Sequence, residues 1–148
     1  MTWKDLLKQK RVHKHTTSKA ELDNLRAVVA RDLHDAAVTG LSDDRKFATA
    51  YNAILQLSKM AIACAGYRAA THAGHHQTSF EALELAMGSS AFSLAAYFDA
   101  CRRKRNQIDY DQAHAVTETE AREICEKAKE FQQLVEQWIA TQFPALKP

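Results

Sequence analysis

The segment Arg102-Arg103-Lys104-Arg105-Asn106-Gln107-Ile108-Asp109-Tyr110-Asp111 carries the densest chemistry in the chain. Four cations closing a helix suit the negative end of its macrodipole, and that alone accounts for their charge. The residues beyond them allow more. Asn106 at the helix exit can take a left-handed cap, and Tyr110 then returns a phenol and a ring close to Arg105. Arginine, asparagine and tyrosine together can grip a phosphate and stack on a base. The expected fold brings this run back beside the N-terminal half of the helix that begins near Ser42, where Asp43, Asp44 and Asn52 lie. Two outcomes are open there. One is an ion pair of Arg102 or Arg105 with Asp43 or Asp44. The other is a polar site for nucleotide or nucleic acid built from Arg102, Arg105, Asn106, Tyr110, Asp43 and Asp44.

A second polar group follows Gly66-Tyr67: Arg68, then Gly74-His75-His76. Adjacent histidine side chains diverge, and no carboxylate stands at helical spacing from them before Glu81 and Glu84. Arg68, His75 and His76 are therefore expected as a polar loop with hydrogen bonds to helix ends, not as a metal site. No metal and no cofactor is expected. GxSxG, HExxH and Walker-type loops are absent from the sequence, so serine-hydrolase, zincin and P-loop chemistry have no anchor.

The elements that must position these groups read as helices. Ser18 precedes Glu21 by three, the capping-box spacing, and Leu22, Leu25, Val29, Leu33 and Ala36 then recur at three- and four-residue steps. Gly40 closes that helix. Ser42 caps the next, with Asp43 and Asp44 in its first turn and an apolar face of Phe47, Tyr51, Ile54, Leu57, Ala61 and Cys64; it is expected to run to about Thr71. His72–Gln77 reads as loop. Thr78 with Glu81 opens a short helix, Gly88-Ser89-Ser90 interrupts it, and a fourth helix ends in the arginine run. Thr117 with Glu120 opens the last helix, which Pro144 stops. No segment alternates long enough to predict a strand. Residues 1–17 form a basic arm, in which Lys4, Lys8, Lys10, Arg11 and Lys14 outweigh Asp5. It is either a solvated arm that docks through Trp3, Leu6 and Leu7 or an arm that reaches for nucleic acid. The expected architecture is an all-α, up-and-down bundle of four main helices plus one short helix, with a helical domain over residues 18–143.

Composition agrees with that architecture. The 148 residues suit one domain, and 46% apolar with 26% charged residues excludes a disordered or collagen-like chain. No proline precedes Pro144, which disfavours a turn-rich β-sandwich. Twenty basic and eighteen acidic residues leave a formal charge of +2, which announces no nucleic-acid binder by itself. Cys64, Cys101 and Cys125 form no CxxC pair and read as buried thiols of a reducing compartment. No apolar leader opens the chain, and no run approaches the roughly 20 apolar residues a bilayer span needs. A cytoplasmic protein without membrane contact is expected.

Taken in order, these features resemble the HEPN (higher eukaryote and prokaryote nucleotide-binding) domains. The similarity runs through Gly40-Leu41-Ser42, Phe47, Ala50-Tyr51 and Ala53, then Gly66-Tyr67-Arg68, Gly74-His75-His76 and Phe80-Glu81-Ala82-Leu83. It ends on Arg102-xx-Arg105-Asn106-xxx-Tyr110 and covers roughly residues 18–140, being strongest to small stand-alone bacterial members with an Arg-Asn-xxx-Tyr motif. The resemblance implies a homodimer with its arginine motifs near the dimer cleft. It implies a place in toxin–antitoxin or defence systems, as a ribonuclease or as the partner of a nucleotidyltransferase. The family's nuclease signature is arginine, four to six residues, then histidine. The windows after Arg102, Arg103 and Arg105 hold no histidine, His114 is too far along, and Tyr110 falls near the expected slot. A phenol near pKa 10 is a poor proton shuttle at neutrality. The expectation is a nucleotide- or RNA-interacting accessory protein without a catalytic set. A metal-independent endoribonuclease and a purely structural interaction bundle are the alternatives.

Overall fold

The computed structural model describes residues 1–109 and 113–148. Four long helices and one shorter one make the bundle: α2 (Lys19–Ala36), α3 (Asp43–Cys64), α4 (His75–Met87), α5 (Phe92–Asp109) and α6 (Glu118–Gln142). A 3-10 turn, Gly88–Ala91, joins α4 to α5 at the Gly-Ser-Ser interruption, and another, Pro144–Leu146, follows α6. The all-α bundle expected from the apolar periodicity is thus the observed fold. Helix α3 is its axis. The helix is about 33 Å long at 1.5 Å per residue, and α2, α4, α5 and α6 all pack against it. Phe47, Tyr51, Ile54, Leu57 and Met60 are its buried ridge, and the Phe98 ring of α5 packs tilted against Phe131 of α6, centroids 4.8 Å apart.

Two expectations are corrected. The arm over residues 1–17 is folded: α1 (Trp3–Lys8) leads into a short strand, β1 (Val12–Lys14). That strand pairs antiparallel with β2 (Tyr67–Ala69), setting Val12 opposite Ala69 and His13 opposite Arg68. Three-residue strands are too short to show alternation, and their partners are far apart in sequence, so no local pattern announces them. The arm docks as one of its two readings has it. Leu6 and Val12 are buried against Ile62 and Ala82 in a second, smaller core, and Trp3 stacks flat on Tyr67 at 4.0 Å.

The second correction concerns where helices begin and end. Helix α3 stops at Cys64, not near Thr71, because Gly66 takes φ +96°, a left-handed turn that sends the chain into β2. Helix α4 starts at His75 behind Gly74, three residues before Thr78. Thr78 is buried inside it, and its hydroxyl accepts from Arg11 Nε at 3.0 Å. Arg11 Nη2 also lies 2.7 Å from Glu81. The two residues of the apparent capping box are thus held by the arm. The Thr117–Glu120 box is complete in both directions. At Ser18 only half forms, since Glu21 turns to His15 and Thr17 instead.

Candidate phosphate-binding site

The arginine run lies on the last two turns of α5, where side chains three and four residues apart meet. Each cation has an acidic neighbour. Arg102 Nε donates to Asp99 at 2.9 Å, Arg103 reaches the same carboxylate at 3.4 Å, and Arg105 donates to Asp109. Lys104 crosses to Glu120 of α6 at 3.3 Å. Neither Arg102 nor Arg105 pairs with Asp43 or Asp44. Asp44 instead accepts from the backbone N–H groups of His114 and Val116, at 2.9 and 3.0 Å, and so caps the entry to α6. Asp43 lines a separate groove between α2, α3 and α6. The expected cluster of the arginine run with these two aspartates is not formed. The acids of α5 are closer along its own surface, and Asp44 satisfies orphan amides that no helix bond could reach. Asn52 is likewise engaged elsewhere, donating to buried Asp32 at 2.6 Å. Asn106 is exposed within α5 and not at a left-handed exit, since the helix continues to Asp109. Tyr110 lies outside the described residues.

What the fold does bring to Arg105 is a tyrosine and a histidine. The Arg105 guanidinium carbon sits 5.7 Å from the ring centre of Tyr51, a cation over a π face. Tyr51 is fully buried in the third turn of α3, and its hydroxyl is 3.1 Å from Nδ1 of His76 at the start of α4. His75 packs edge-on against His76 at 4.4 Å. The arginine end of α5 and the histidine end of α4 thus flank one tyrosine.

Their protonation follows from burial and charge. Burial pushes the Tyr51 phenol well above its ordinary value, so it stays protonated and can donate to Nδ1 of His76. Burial also pushes His76 down to about 4, helped by His75, Arg105, Lys59 and Arg102, all of which oppose another positive charge. A neutral imidazole that accepts at Nδ1 carries its proton on Nε2. With Tyr51 donating to Nδ1, His76 presents an Nε2–H at neutral pH. Arg102 and Arg105, whose side chains are 22% and 33% exposed, are near enough for their charges to act on its ring. Two forked cations and one neutral donor suit the oxygens of a phosphate. Among the described residues no group of three or more histidine, cysteine or carboxylate side chains could hold a metal ion.

Arg68 stands apart from this cluster, exposed on β2, where it lines a cavity together with His75. Sequence reasoning missed Tyr51, reading it only as part of the apolar face. The available signal was its hydroxyl, since a buried phenol needs a polar partner. Among the described residues no helix is long and apolar enough to cross a membrane. Comparison of the chain with protein-family models, curated proteins and solved structures finds no match.

Proposed function

We propose that this chain binds a phosphate-bearing ligand, a nucleotide or RNA, through Arg102, Arg105 and His76. In this reading it is a HEPN-type accessory protein of a bacterial toxin–antitoxin or defence system, a cytoplasmic homodimer that works with a nucleotidyltransferase-type partner. The observation that carries the binding is the half-buried Arg105 guanidinium over Tyr51, whose hydroxyl lies 3.1 Å from Nδ1 of His76. Its acidic neighbour Asp109 is exposed and on the same helix, so a phosphate can compete for the guanidinium at little cost. Binding without cleavage follows from the low basicity of His76. A group at about 4 is too weak a base to take a 2′-hydroxyl proton efficiently at neutrality.

Arg105→Ala tests the reading. Loss of a charge-assisted hydrogen bond costs roughly 1.5–3 kcal/mol, or about 10- to 150-fold in affinity. Fluorescence anisotropy of a labelled single-stranded RNA, and competition by AMP or ATP, should show that loss with an unchanged circular dichroism spectrum and no effect of EDTA. If no RNA or nucleotide binds at low salt, the bundle is structural and the arginines only cap a helix.

One observation favours the nuclease alternative: His76 and Arg105 flank the same tyrosine, so the fold supplies a histidine that the motif lacks. The negative charge of a bound RNA phosphodiester would raise the basicity of His76 toward neutrality. Metal-independent RNA cleavage abolished by both Arg105→Ala and His76→Gln would select that alternative.

A further inference from the structure

A second constellation lies on the other side of His75 and uses none of Arg102, Arg105 or Tyr51. Helix α2, helix α3 and the β-ribbon enclose a cavity of about 280 Å³. Its apolar wall is Leu25, Ile62, Ala63 and Tyr67, and its polar wall includes Lys59 and Arg68. The wall is built before any ligand arrives. Tyr67 is held flat against Trp3, and the ribbon is closed below it by the His15 amide donating to the Gly66 carbonyl at 2.9 Å.

Charge in this cavity is unbalanced. Glu21 is the carboxylate that lines it, and Glu21 is already engaged: His15 Nε2 lies 2.8 and 3.0 Å from its two oxygens, and Thr17 donates to it at 2.8 Å. Among the described residues no carboxylate oxygen comes within 4.0 Å of the Lys59 ammonium or the Arg68 guanidinium. Lys59 is half-buried and Arg68 is exposed beside it; a half-buried cation ordinarily finds an anionic partner, since desolvation without one is costly. Burial and the neighbouring Arg68 both disfavour the charge on Lys59, which is the mark of a cation held without its counter-charge.

We propose that this cavity is a binding site for a small organic anion: one carboxylate or phosphate head held by Lys59 and Arg68, on a flat apolar body lying along Leu25, Ile62 and Tyr67. The volume suits about one ring with its head group, just under the usual range for ligand pockets. The proposal does not depend on the Arg105 reading.

Backbone amide NMR of the full chain tests it with three probes: phenyl phosphate, benzoate and neutral benzamide. Phenyl phosphate, benzoate or both should saturate, with shifts centred on Ile62, Ala63 and Tyr67–Ala69, while benzamide leaves those amides in place. Saturation by only one of the two anions identifies the head group as phosphate or carboxylate. Lys59→Met should weaken the anion at least tenfold. Arg68→Gln, an exposed change that cannot unfold the core, should weaken it at least threefold. Equal binding of benzamide would overturn the proposal, as would wild-type affinity in both variants. Shifts centred on Arg102–Arg105 instead, or no saturation by either anion at 10 mM (about −2.7 kcal/mol by the usual affinity relation), would overturn it too.

Discussion

His76 stands at the histidine end of the candidate site, and its low basicity makes it a reporter of protonation there. An imidazole at about 4 in the folded chain, against 6.5 in the unfolded one, favours the unfolded state once protons are available. The unfolded chain takes up a proton that the folded chain refuses. Stability from this group is therefore fully present above about pH 6.5, falls as pH drops toward about 4, and falls no further below that. Discounted for the partial exposure of the ring, the loss is about 1–2 kcal/mol. Urea midpoints measured at pH 7 and pH 4.5 should differ more for the wild type than for His76→Gln. Glu21 acts in a lower window. The hydrogen bond from His15 holds its carboxyl below the usual value, so its contribution is present above about 4.5 and is lost as pH falls through the lowered value.

Helix ends show where the sequence was legible and where distance defeated it. Thr117 and Glu120 stand three apart and complete each other's hydrogen bonds, as their spacing predicts. Thr78 and Glu81 have the same spacing, yet Arg11, 67 residues from Thr78, holds both side chains. A local rule cannot see a partner that far along the chain. The apolar stripes of α2, α3, α5 and α6 were legible because burial repeats every turn. The ribbon was not, because it rests on three residue pairs and the turn at Gly66. In the same way, Arg102 and Arg105 are identifiable by type, whereas the place of Arg105 over Tyr51, and of Tyr51 against His76, depends on how α3, α4 and α5 pack. Gly66→Ala tests the turn. An added Cβ would meet nothing closer than the His15 carbonyl at 3.9 Å, so the cost is that of the left-handed φ, about 1–2 kcal/mol. Thermal denaturation should show that loss, and circular dichroism should show the helices intact.

At the scale of the whole molecule, the N-terminal arm is structural as well as basic. It brings Leu6 and Val12 into a core of their own with Ile62 and Ala82. It also supplies Arg11 to α4 and β1 to the ribbon, so it fixes the wall on which His75 and Arg68 sit. Leu6→Ala removes a fully buried side chain and should cost about 2–4 kcal/mol in a chemical denaturation experiment. An arm that only floated in solvent would show almost no change. A docked arm leaves its lysines outward, so their share in RNA binding would be long-range and screened by salt.

The central claim is that Tyr51 holds His76 as a neutral donor beside Arg105, where phosphate oxygens arrive. Long-range 1H–15N spectra of the histidine rings test it most directly. At pH 7 His76 is expected to be neutral, with its proton on Nε2 and its lone pair on Nδ1. Its Nε2 resonance should shift on addition of a short single-stranded RNA or AMP, and the shift should vanish in Arg105→Ala. A protonated His76 in the free protein at pH 7, or bound RNA that leaves the His76 ring unmoved, would contradict this role for His76.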